Sequence, residues 1–305
     1  MRSVEAWATV AHRYVRGGFG LSAPEALVAR FLNGYLRDHP RRRIARTVFG
    51  AELAVDTQDL IQRYIYMFGA WEPHMTRWLS RQLRPGDTFI DVGANIGYFS
   101  LLASRLVGTG GRVVAIEASP TFHRSVLANS RRNACCNVRA VNVAVSDARR
   151  SLRFTLASSR NMGANSIVPY DGPAESCFEA QALPLTEVLT TSEVAEARVI
   201  KVDVEGAEGS VVRGMAPLLD QLRPDAEVTV EVSPERMARL GDSIEELLAT
   251  MRDHGFHAYS QPNDYAVESY PTALRQAGTP LARVRGPVTE ESDLVFSHVD
   301  ADVLP

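Results

Sequence analysis

Six acidic residues sit where the sequence places the ends of strands: Asp91, Glu117, Asp147, Asp203, Glu205 and Glu231. Asp91 closes the apolar, β-branched run Thr88–Val92, and the turn Gly93-Ala94-Asn95-Ile96-Gly97 follows directly. A helical apolar pattern then begins at Tyr98. Strand, glycine turn and helix form the unit that holds a nucleotide-like ligand beyond the carboxyl end of a parallel strand. The glycine spacing is G-x-x-x-G. That is neither the dinucleotide fingerprint G-x-G-x-x-G nor a phosphate loop ending in Gly-Lys-Ser/Thr. A carboxylate two residues before the first glycine would repel a pyrophosphate and suits an amine or a hydroxyl. S-adenosylmethionine, with an adenosine, a sulfonium and an amino acid but no phosphate, fits that chemistry.

Glu117 ends the run Arg112–Ile116, 24 residues after Gly93. An acid there can accept both hydroxyls of a ribose. Ser146-Asp147 follows a third run, Val138–Val145, where Asp147 could accept from the exocyclic amine of an adenine. Asp203, Glu205 and Glu208 follow the run Val199–Val204, and Glu231 lies near the end of Glu227–Val232. These acids could take a proton from a nucleophile, bind a substrate hydroxyl or hold a divalent cation; no metal is assigned. Lys201 is the single lysine of the chain, every other basic side chain besides histidine being arginine. Its place inside a strand implies pairing with a carboxylate. The seven histidines show no ligand spacing. His74 is the candidate base among them, while His254 and His257 read as packed or surface residues.

The elements that must position these groups follow from periodicity. Residues 1–40 read as two helices, with Gly17-Gly18 between them, and 44–55 as a hairpin turning near Gly50. Helices are expected over Gln58–Met67, Trp71–Leu83, Pro120–Asn133 and Ile244–His254, and over Val211–Leu222 with breaks near Gly214 and Pro217. Strands are expected at 151–156, 179–185, Gly255–Ser260 and Leu294–His298. The loop Ala157–Phe178, rich in Gly, Pro and Asn, reads as a substrate lid. Arg283–Glu291 reads as a polar loop. Strands alternating with helices and ending in closely spaced strands predict an α/β fold with a mainly parallel sheet and an antiparallel edge.

Composition narrows the class. The 305 residues are 45% hydrophobic and 23% charged with a net charge of −3, ordinary for a globular protein. That charge does not suit a nucleic-acid binder, and the run Arg41-Arg42-Arg43 has no aromatic stripe beside it. Cys135, Cys136 and Cys177 are an odd number in a long chain and point to a reducing cytoplasm. No 18-residue apolar run is present, so no membrane span is expected.

Five stretches in order resemble the FkbM family of S-adenosylmethionine-dependent methyltransferases. They are Gly69–Pro73, Asp91–Gly97, Ala115–Pro120, Ala144–Asp147 and Ile200–Glu208. The resemblance covers roughly residues 50–300. It implies a class I, Rossmann-like sheet of seven strands over 85–305, preceded at 1–84 by a helical and hairpin cap. It implies cofactor contacts at Asp91, Gly93, Asn95, Gly97, Glu117 and Ser146-Asp147, to which Ala118 and Asp203 are added. It also implies methylation of a hydroxyl on a secondary metabolite or sugar. Asp203, Glu205, Glu231 and His74 are then the candidate catalytic residues. Tyr66, Trp71, Glu72, Asn161 and Asn165 are the candidate substrate contacts. N-methylation of an amine, amide or peptide product and a non-catalytic cofactor-binding module remain alternatives, as does a homodimer. A nicotinamide dehydrogenase is disfavoured by the glycine spacing.

Overall fold

The computed structural model describes residues 2–17, 22–156, 176–276 and 278–304. These form two compact units, one of the chain up to Arg77 with Asn263–Gly278, the other of the remaining described residues. A single boundary after residue 84 leaves Asn263–Gly278 with the sheet, whereas that segment clusters with the N-terminal unit.

In the first unit, α1 (Arg2–Gly17) and α2 (Ser22–Asp38) pack together. Each buries a stripe at helical spacing: Ala8, Ala11 and Val15 on α1, Ala29, Leu32 and Leu36 on α2. The hairpin pairs β1 (Arg42–Arg46) with β2 (Glu52–Asp56). Its turn closes through Thr47 N–H donating to Ala51 O and through Gly50 at φ 83°. Two of the three consecutive arginines therefore lie on an exposed strand, with Arg42 paired to Asp56. Helix α3 (Leu60–Phe68) is capped by Asp59, which accepts from Gln62 N–H, and α4 (Pro73–Gln82) follows.

The second unit is built on strands β3 (Thr88–Val92), β4 (Arg112–Ile116) and β5 (Val138–Val141), joined through helices α5 (Tyr98–Val107) and α6 (Pro120–Arg132). A small three-stranded sheet follows: β6 (Ala144–Val145), β7 (Arg150–Leu156) and β8 (Ser176–Leu183). After α7 (Leu185–Val188) and α8 (Thr191–Ala195) come β9 (Ala197–Val202), α9 (Glu208–Leu219), β10 (Glu227–Val232), α10 (Pro234–Arg239), α11 (Ile244–Asp253) and β11 (His257–Gln261). Strands β12 (Leu281–Arg283), β13 (Ser292–Ser297) and β14 (Val303–Leu304) complete the chain. The large sheet has the order β14-β12-β11-β13-β10-β9-β3-β4-β5. Strands β5, β4, β3, β9 and β10 run parallel, and β13 enters antiparallel between β10 and β11.

This is the expected α/β class, Rossmann-like, with seven strands extended to nine by β12 and β14. The chain leaves β3 toward β4 and β5 on one side and returns to β9 and β10 on the other. The switch point therefore lies between β3 and β9, and its crevice opens at their carboxyl ends. One face of the sheet carries Ile90, Val92, Val114, Ile116, Val202 and Val230 into the main apolar core.

Two expected elements differ. The run Val138–Val145 is split, because Asn142 leaves the sheet and its side-chain amide donates to the carbonyls of Glu117 and Ala118. Helix α9 runs unbroken through Gly214 and Pro217, and Gly214 serves packing: a Cβ there would strike Ser146 O. Among the described residues no helix is long and apolar enough to cross a membrane, and all three cysteines are free thiols.

Candidate functional site

The glycine turn is held from both sides. Gly93 and Ala94 N–H both donate to Ile116 O at 2.9 and 3.1 Å, which ties the turn to β4. Gly93 adopts φ 87°, and a Cβ on it would fall inside the Asp203 carbonyl. The close approach that demands glycine here is thus between the ends of β3 and β9. Asn95 takes the left-handed conformation at φ 52°, which asparagine tolerates well, and Gly97 a second one at φ 90°.

Glu117 is the centre of this half of the site. Its Oε2 accepts from Asn95 N–H at 2.7 Å and its Oε1 from Ser119 N–H at 2.8 Å. Each oxygen keeps a further lone pair. Burial raises the Glu117 carboxyl to about 7, against the two backbone donors, with Asp91 and Asp203 adding to the rise. Asp91 is fully buried and accepts from Ser100 Oγ at 2.5 Å through Oδ2. Burial pushes it up as well, opposed by the Lys201 ammonium. Asp91 Oδ1 and Asn95 Oδ1 are buried acceptor atoms with no hydrogen-bond partner among the described residues.

The other half is built on β9 and β10. Lys201 stands beside Asp91 in register, is 4% exposed, and donates to Asp203 Oδ2 at 2.7 Å. Its ammonium also lies 5.1 Å from the Phe99 ring centroid. Burial alone would raise Asp203. The Lys201 charge, a hydrogen bond from Glu231 and the Arg236 charge outweigh it and hold the carboxyl below its ordinary range. The hydrogen bond between Asp203 and Glu231 ties the ends of β9 and β10 together.

Glu205, at φ 59°, is engaged by Arg236, which also binds Glu291 and Ser233. Glu208 accepts from Gly206 N–H at 2.9 Å, and burial raises it to about 7. Among the described residues no group of His, Cys, Asp or Glu is arranged to hold a metal.

Ser146 and Asp147 lie against α9 in a chain of arginine contacts. Asp147 accepts from Arg150 at 3.0 Å and from Arg213 at 3.2 Å, and Arg150 also donates to Ser146 Oγ at 2.6 Å. His254 pairs with Asp220, and His257 accepts from Arg283. Tyr66, Trp71, Glu72 and His74 belong to the first unit. There Tyr66 stacks on His12 at 4.2 Å, and Trp71 stacks on Tyr265 at 5.4 Å. Tyr265 donates to Glu72, which is buried at φ 41°. His74 is held below the ordinary histidine value by burial and by Arg77. Asn161, Asn165 and nearly all of the segment 157–178 lie outside the described residues.

The Methyltransferase FkbM domain family matches residues 91–258, more than half of the chain. The chain belongs to that family. Among curated relatives, it is 28% identical over 209 residues to the 31-O-demethyl-FK506 methyltransferase FkbM of Streptomyces tacrolimicus, which covers 57% of this chain and 74% of the relative. It is 25% identical over 220 residues to the hexuronic acid methyltransferase AglP of Haloferax volcanii, covering 71% and 87%. The solved FkbM methyltransferase of Methylobacillus flagellatus KT aligns at 13% identity and a TM-score of 0.43, over 78% of this chain and 52% of that one.

In this FkbM-family methyltransferase the stretch Asp91–Gly97, Glu117, Lys201 and Asp203 are brought together at the carboxyl edge of β3, β4 and β9. Sequence reasoning missed Ser100, which donates to Asp91, and Asn142, which donates to the Glu117 carbonyl. Ser100 had a signal, since it faces back toward β3 from the first turn of α5. The expected carboxylate partner of Lys201 is Asp203.

Proposed function

We propose that this FkbM-family chain transfers a methyl group from S-adenosylmethionine to a hydroxyl of a small molecule, a secondary metabolite or a sugar. The observation that carries the reading is Glu117, fixed at the end of β4 by two backbone donors with lone pairs to spare. The cofactor suits the residues present. Asp91 Oδ1 and Asn95 Oδ1 are buried acceptors wanting donors, and ribose hydroxyls and an amino group are donors. Asp91, Gly93, Asn95, Gly97, Glu117 and Ala118 would hold it. Ser146 and Asp147 would join only by sharing their arginine contacts. When bound, the cofactor supplies an electrophilic methyl on a cationic sulfur.

The chain's own contribution is position and charge. Holding a nucleophile in line can be worth roughly 7–11 kcal/mol in the best cases. Asp203 is ionised and oriented by Lys201 and Glu231, so it can accept a hydrogen bond from the acceptor hydroxyl and take its proton. Glu205, bound by Arg236, braces the loop after β9.

Calorimetry with S-adenosylhomocysteine and with NAD tests the cofactor. The homocysteine should bind and NAD should not. Glu117→Gln should weaken the first by about 1.5–3 kcal/mol, the loss of a charged acceptor. A wild-type protein blind to S-adenosylhomocysteine overturns the reading. Incubation with a 13C-methyl donor and metabolite extract then distinguishes methyl ether carbons from methylamine carbons.

A further inference from the structure

Large apolar side chains are exposed unevenly in this chain. Of the eight exposed among the described residues, six lie in the first unit, four of them on its first two helices. Trp7 and Val10 are 44% and 65% exposed on α1, and Leu27 and Phe31 are 56% and 61% exposed on α2. Spacings of three and four put each pair on one side of its helix. These are not the sides that build the unit, which are the buried stripes Ala8–Ala11–Val15 and Ala29–Leu32–Leu36. A further side of α1 is occupied as well, His12 donating to Tyr66 O at 2.8 Å and Arg16 to the Arg46 carbonyl. Helices α1 and α2 pack on each other, so one helix pair carries a second, uncovered apolar surface.

Single exposed apolar residues are ordinary, but four on two adjoining helices are not. The charge around them says what covers them. Residues 1–77 hold eleven arginines against seven acids, in a chain whose net charge is −3. The acids of the two helices are already engaged, Glu5 by Arg41, Glu25 by Arg275 and Asp38 by Arg37. Arg13, one turn from Val10, is exposed and has no acidic partner among the described residues. Arg30, next to Phe31, has a side chain 74% exposed and reaches Glu268 only at 3.8 Å. The uncovered apolar surface is thus bordered by cationic groups, and its complement is apolar beneath and anionic at the rim.

We infer that the exposed side of α1 and α2 is a docking surface for an anionic phospholipid bilayer, on which the chain lies without crossing it. An amphipathic helix rests in the plane of the interface with its apolar side at the boundary of headgroups and acyl chains. Trp7 and Phe31 supply rings suited to that depth, and Val10 and Leu27 add aliphatic area between them. Arginine stems lie along apolar surface while their guanidinium groups reach the phosphates, the place Arg13 and Arg30 would take. A second copy of the chain is the poorer occupant. A two-fold contact through this surface would set the arginines of one copy against those of the other. The inference is independent of the cofactor reading, since every residue it uses lies in the first unit.

Co-sedimentation of the full chain with vesicles tests the surface. Vesicles of equal parts phosphatidylglycerol and phosphatidylcholine should bind it about tenfold or more tightly than pure phosphatidylcholine. The preference should fade between about 50 mM and about 500 mM sodium chloride. Tryptophan emission gives a second, local readout. Trp71 and Trp78 are already buried, so a blue shift on adding vesicles reports Trp7. Phe31→Asp should weaken binding to the anionic vesicles about tenfold or more and abolish the blue shift, with the melting temperature unchanged. Arg13→Glu, a surface change that spares the apolar stripes, should weaken binding about tenfold and leave binding to phosphatidylcholine as it was. Equal binding to both vesicle types, or an Arg13→Glu protein that binds as wild type does, overturns the inference. So does a concentration-dependent dimer in sedimentation velocity that Phe31→Asp dissociates, which would assign the surface to a second copy.

Discussion

At the scale of single residues the site depends on burial more than on the number of charges. Glu117 titrates near 7 because it is buried, yet it is the ionised form that accepts best from a ribose. S-adenosylhomocysteine affinity should therefore rise from roughly pH 5.5 to pH 7.5, up to tenfold per unit below the pKa, and Glu117→Gln should flatten the profile. Calorimetry at fixed ionic strength reads this directly. Lys201 sits between two buried carboxylates. Lys201→Met should destabilise the fold by about 3–5 kcal/mol at pH 8, the cost of leaving buried charge unpaired. The loss should shrink at pH 5, where the stranded carboxyls can protonate, and urea unfolding at the two pH values checks it. Gly93→Ala combines a positive φ with a collision against the Asp203 carbonyl. It should cost several kcal/mol or prevent folding, visible as a lost thermal transition.

At the scale of elements, what was legible was local. The strand, glycine turn and helix around Asp91–Gly97 could be read because apolar runs, glycines and acids sit close together in sequence. So could Glu117 and Asp203, each placed by its strand end. What escaped was non-local or short. Strands β12 and β14 have three and two residues, too few to show a period. Strand β13 inserts between β10 and β11, and no spacing along the chain announces that pairing. Gly214 misled for the same reason. Glycine inside a helix reads as a break, but here it admits the Ser146 carbonyl from a different sheet. Gly214→Ala should therefore lower stability by about 1–3 kcal/mol despite alanine's better helix propensity. A measured gain in thermal stability would show that α9 does not press on that carbonyl.

At the scale of the molecule, burial of acids sets the pH response. Glu117 and Glu208 both stand near 7 when folded, well above their unfolded value. Each contributes stability that is complete below the unfolded pKa and is lost as pH rises toward 7, by about 1.4 kcal/mol per unit and per proton. Asp147, Asp203 and Glu193 are shifted the other way and lose their contribution at acid pH. The melting temperature of the unliganded protein should thus fall between pH 5 and 7.5. Saturating S-adenosylhomocysteine should recover part of the loss, because it binds the ionised Glu117; a flat profile would place both acids in water. The sole lysine has a consequence at this scale as well. An acylating reagent finds one side-chain amine, and that amine is buried on the sheet face beside Phe99 of α5. Uptake of label at Lys201 can proceed only when the cover over that face opens, so its rate is an internal clock for local opening at the centre of the fold.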